Sequence, residues 1–159
     1  MKKILITVLA FSLALVMTAC GGAGSFGVES TDGSVVATAE NAASESSAVG
    51  YITLEKDTEV TVAATLEKGT VEVLVVPLEK VIEADENVLS DEDADPEELI
   101  EAINGTEGTL VSADDAVLAC YEMKGGESST GGLVKGDYAV VVTVLEDGTD
   151  GTVTVTQAE

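Results

Sequence analysis

From Val49 onward the chain repeatedly alternates β-branched and polar residues. A period of two puts every second side chain on one side of an extended strand, and no helix of 3.6 residues per turn can satisfy it. In residues 59–66, Val60, Val62, Ala64 and Leu66 share one parity while Glu59, Thr61 and Thr65 take the other. The pattern predicts a half-buried strand. Thr152-Val153-Thr154-Val155-Thr156 repeats it, and residues 138–145 are apolar on both parities, which predicts a central strand covered on both faces. Tyr51-Ile52-Thr53-Leu54 adds another strand. The turn Glu67-Lys68-Gly69 before residues 71–76, which Pro77 terminates, predicts one hairpin; residues 147–151 predict a second.

Between these segments lies one clear helix signal. Asp95 is placed as N-cap, Pro96 as the first helical residue and Glu98 as the return partner of a capping box. The helix should occupy residues 96–103, bury Leu99, Ile100 and Ile103, and stop at Asn104-Gly105. Ser112 to Asp115 could cap a further short helix, but residues 116–123 read better as a strand. The run from Lys124 to Gly132 lacks the Gly-Lys-Ser/Thr ending of a phosphate cradle and reads as a mobile loop. Residues 21–48 are rich in Gly, Ser, Ala and Thr, with Phe26 their only aromatic, and read as a flexible tether of roughly 30 Å r.m.s. span, roughly 95 Å when stretched.

The charge excludes several functions. Seven Lys+Arg face 30 Asp+Glu, a formal net charge of −23, with no His and no Trp. Without imidazole there is no Ser-His-Asp or Cys-His nucleophile system and no His-ligated zinc. The field repels phosphate polymers, so no nucleic-acid partner is expected. With this many acids, some carboxylate pair will fall at glycosidase spacing by chance, so a carboxylate hydrolase is only the last-ranked alternative and a non-catalytic protein is expected.

The N-terminus narrows the location. Met1-Lys2-Lys3 precedes an apolar run over residues 4–16, about 20 Å as a helix against the roughly 30 Å of a bilayer core, so it reads as an export signal. The sequence Leu15-Val16-Met17-Thr18-Ala19-Cys20-Gly21 resembles the lipobox of bacterial lipoproteins, with Met17 where that family prefers Leu. The resemblance implies transfer of diacylglyceryl to the Cys20 thiol, cleavage after Ala19, and a mature chain anchored by palmitate-type acyl chains on the extracytoplasmic side of the cell membrane. Two chains anchor a protein stably where one does not.

The remaining candidates each have a plainer reading. Asp91, Asp93 and Asp95 have the i, i+2, i+4 spacing that opens a calcium loop, but Pro96 stands where an EF-hand needs Gly and Ala102 where it needs Glu. A solvated acidic loop leading into a helix is favoured, with an irregular calcium site as the alternative; otherwise no metal or cofactor is expected. Cys120, flanked by Leu118, Ala119 and Tyr121, reads as a small core hydrophobe. Tyr51, Tyr121 and Tyr138 could form a thin sugar-stacking platform, but strand packing is their default.

The expected architecture is an all-β antiparallel sandwich of six to eight strands over residues 49–159, with one short helix near 96–103, after a signal peptide over 1–19 and a lipidated tether over 20–48. The ending that begins Gly136-Asp137-Tyr138 is similar to many small secreted immunoglobulin-like or jelly-roll modules. The leading functional expectation is a lipid-anchored surface protein presenting a binding or structural module to a protein or glycan partner. A glycan- or solute-binding lipoprotein accessory to a membrane system is the alternative.

Overall fold

The computed structural model describes residues 13–17, 24–31, 33–84, 95–104 and 113–158. It is an antiparallel β-sandwich of two sheets. The first sheet contains β1 (Leu13–Met17), β2 (Ser25–Thr31), β3 (Ser34–Ala42), β5 (Thr58–Lys68), β8 (Ser128–Leu133) and β10 (Thr149–Gln157), in the order β1-β2-β3-β10-β5-β8. The second contains β4 (Ser47–Leu54), β6 (Val71–Pro77), β7 (Leu118–Met123) and β9 (Gly136–Val144), in the order β4-β9-β6-β7. Helices α1 (Leu78–Ala84) and α2 (Pro96–Asn104) lie on the outer face of the second sheet.

The alternating strands behave as their pattern requires. In β5, Val60, Val62 and Ala64 are buried and Glu59 is exposed. In β9, five consecutive residues from Tyr138 to Val142 are buried, because one face meets the first sheet and the other meets the helices. Helix α2 begins at Pro96 with Asp95 as its N-cap, as predicted: the Glu97 amide donates to Asp95 Oδ1 at 3.0 Å and the Leu99 amide to the Asp95 carbonyl at 3.1 Å, bonds that do not involve Glu98. Leu99, Ile100 and Ile103 are buried beneath it.

Several expectations are corrected. The stretch assigned to a tether forms β2 and β3, whose Phe26, Val28, Val35, Ala37, Ala39 and Ala42 enter the core between the sheets. The folded domain therefore includes residues 24–48 rather than starting at Val49. The described residues hold ten strands and two α-helices, α1 following directly on Pro77. Of the run from Lys124 to Gly132 read as mobile loop, residues 128–132 belong to edge strand β8, paired with β5, and only Lys124 to Glu127 form the turn. Its small residues suit this place: a Cβ on Gly131 would lie 2.9 Å from Leu118 Cδ1.

Neither predicted hairpin exists. Strand β5 pairs with β10 and β8, β6 pairs with β7 and β9, so the turn through Gly69 (φ +92°) carries the chain from one sheet to the other. The turn between β9 and β10 does the same. A tight turn reverses the chain equally well within a sheet or across the gap between sheets. Among the described residues, β2 and β3 are consecutive strands paired antiparallel out to Thr31 and Ser34, with Gly33 at a φ of +78° beside the last pair.

Candidate functional site

Strand direction gives the sandwich two distinct ends. At one, Ser25 opens β2 opposite Glu40, Ala42 faces Thr149, and Asp150 faces Lys68. At the other, β4 ends and β9 begins at the pair Leu54 and Gly136, β6 ends at Pro77 opposite Tyr138, and β8 ends at Leu133 opposite Thr58. Nine-residue strands such as β3 and β9 separate these ends by about 30 Å.

A groove of about 500 Å³ lies at the second end, between the start of the helices and the β8–β9 connection. Its lining includes Pro77, Leu78, Leu99, Val117, Val134 and Tyr138, with Glu79, Lys135 and Asp137 supplying charge. A second cleft of about 480 Å³, bounded by Thr53, Leu54 and Glu55, shares Lys135, Gly136 and Asp137 with it. Together they run across the ends of β6, β9 and β4. Both volumes fall in the range of ligand-binding clefts.

The groove wall is held by four polar contacts. Tyr138 donates its hydroxyl to the Val134 carbonyl at 2.9 Å, and the Lys135 amide donates to Asp57 Oδ1 at 2.9 Å. Thr53 Oγ1 donates to Asp137 Oδ1 at 2.7 Å, and the Val117 amide donates to the Val75 carbonyl at 2.9 Å. These fix the backbone while leaving Val134 65% and Val117 49% exposed. Burial, and then the negative charge of Asp57, raise the Tyr138 phenol above its ordinary pKa of 10.0, so it stays protonated and donating near neutral pH.

The sequence candidates are scattered. Cys20, Asp91 and Asp93 lie outside the described residues, and Asp95 is the N-cap of α2. Among the described residues no group of three or more His, Cys, Asp or Glu side chains could hold a metal ion. Cys120 is a buried free thiol in the core between the sheets. The tyrosines form no platform: Tyr138 belongs to the core between the sheets, Tyr51 packs beneath the helices, and Tyr121 is 54% exposed on β7. Tyr121 faces away from the core by ordinary alternation from Cys120, and a bulge after it, where the register slips between Val71 and Val73 and Glu122 takes a φ of +52°, returns Met123 to the core.

Sequence reasoning singled out only Tyr138 of the groove. Val117 was read within a strand over 116–123 and Val134 directly follows Leu133, so neither stood apart in the sequence; Pro77 marked where the chain leaves the sheet. No protein-family model, curated protein or solved structure matches this chain.

Proposed function

We propose that the protein is a lipid-anchored extracytoplasmic module, held to the cell membrane through Cys20 and presenting the groove at its far end to a partner, without catalysis. What supports this reading is the lipobox resemblance of residues 15–21 together with the place where the chain that follows enters the fold. Cys20 precedes Ser25 by at most about 18 Å of extended chain, and Ser25 opens β2 at the end opposite the groove. An anchor there points the groove away from the lipid, about 30 Å further out. The acidic surface and the anionic headgroups repel each other within about a Debye length, on the order of 8 Å, which favours the same upright stance.

Processing before Cys20 would remove β1 and leave β2 as the edge of the first sheet. The five-residue register of β1 with β2 favours a second reading, in which residues 13–17 stay as a structural strand and no lipid is attached. Intact-mass measurement of the full-length gene product, extracted from bacterial membranes, separates the two. The proposal requires a chain starting at Cys20 and heavier by diacylglyceryl. An unmodified chain retaining residues 1–19, or a Cys20→Ser variant that sediments with membranes as firmly as the native protein, overturns it.

A further inference from the structure

We infer that the groove binds an extended cationic peptide that alternates apolar and Lys or Arg side chains; this rests on the reading of the domain as a binding module. Four large hydrophobic residues are exposed among the described residues, and two of them, Val117 and Val134, line this one groove. Exposed apolar side chains gathered in a cleft, on walls already fixed by hydrogen bonds, mark a surface built to be covered. Singly scattered ones do not.

The charge around it selects the occupant. Glu55, Glu79 and Asp137 line the paired clefts against a single cation, Lys135, and the charge of Asp57 is felt as far inside as the Tyr138 hydroxyl. Anionic ligands are opposed both here and by the molecule as a whole. An uncharged apolar ligand would gain nothing from the acidic rim. A peptide with alternating side chains places apolar groups against Leu78, Val117 and Val134 and cations toward the acidic rim. The open, two-part trench suits an extended chain better than a compact molecule.

The test is fluorescence anisotropy of a labelled eight-residue Lys-Leu alternating peptide with the full chain, beside Glu-Leu and Lys-Ser peptides of equal length. The Lys-Leu peptide should bind, and the other two should bind at least about tenfold more weakly. The deciding variant is Val134→Asp. Simple charge attraction predicts tighter binding from the added acid, whereas occupation of the groove predicts about tenfold weaker binding. Leu145→Asp makes the same exchange at the opposite end of the sandwich, where Leu145 is 39% exposed, and should leave affinity unchanged by groove occupation. Glu79→Gln should weaken binding about threefold and flatten its salt dependence. Equal binding of Lys-Leu and Lys-Ser peptides, or unaltered or tighter binding by Val134→Asp, overturns the inference. The Cys20→Ser chain separates this outcome from the anchor: it keeps the groove, so its peptide affinity reports on the groove whether or not the protein is lipidated.

Discussion

The two hydrophobic cores on either side of the second sheet are built from different side chains. Between the sheets the core is mostly Val and Ala, with Phe26, Ile52, Leu54, Met123, Leu133 and Tyr138 as its larger members. Beneath the helices it is Leu78, Val81, Leu99, Ile100 and Ile103 against Val49, Leu74, Val76 and Val141. Sheets facing each other present rows of short branched residues that interdigitate at fixed spacing. A helix stands off from a sheet and fills the gap with longer side chains. The inner core is thus the more rigid of the two, and the outer one the more able to settle.

Truncation is the sharpest probe of this difference. Ile52→Ala should cost about 4 kcal/mol in denaturant unfolding, because both sheets are locked by their ladders and cannot collapse into the space left by a residue 1% exposed. Ile103→Ala, at 0% exposed, should cost about 2–3 kcal/mol, since a nine-residue helix can settle toward the sheet. Equal losses would remove the distinction.

Enlargement probes the opposite limit. A Cβ on Gly50 would lie 2.6 Å from Val35 Cγ1 and 2.7 Å from Val28 Cγ1, where β4 passes so near β2 that the Tyr51 amide donates to Ser30 Oγ at 3.0 Å. Gly50→Ala should therefore destabilise by about 2 kcal/mol in the same assay. A smaller effect of opposite sign is expected at the sheet crossing. Thr70 is buried and its Oγ1 has no partner among the described residues, so Thr70→Val should raise stability by about 1 kcal/mol.

The smallest effect concerns the loops joining the sheets. Asp147 accepts bonds from the Ser44 amide and hydroxyl, both at 2.8 Å, and these hold its carboxyl below its ordinary pKa of 3.8. A depressed folded pKa contributes stability that is present above the unfolded value and lost as pH falls through the folded one. The melting-temperature gap between the native protein and Asp147→Ala should hold steady above about pH 5 and close as pH drops below 3.8. A gap independent of pH would assign the contact no linkage.

How much was legible follows the same division. Strands β5, β9 and β10 stood out because Val alternation is a strong local signal, and α2 because its cap, Pro96 and apolar spacing agree. β2 and β3 were missed where Ala37 and Ala39, placed in the narrow gap between sheets, look like linker residues. Their sequence did hold one usable sign, the Asp32-Gly33 pair between alternating segments, which is a strong hairpin signature. The groove was hardly legible, because its residues come from β6, α1, α2 and the β8–β9 connection, which are far apart in the chain.

By itself the sequence determined the all-β character, the capped helix, the acidity and the absence of imidazole chemistry, since each depends only on residue types and their local spacing. Which turns cross between sheets, which small residues are core, and where an apolar groove opens were decided by tertiary structure. Pairing and burial join residues as distant as Ala42 and Thr149, and no local period encodes a partner more than a hundred positions away.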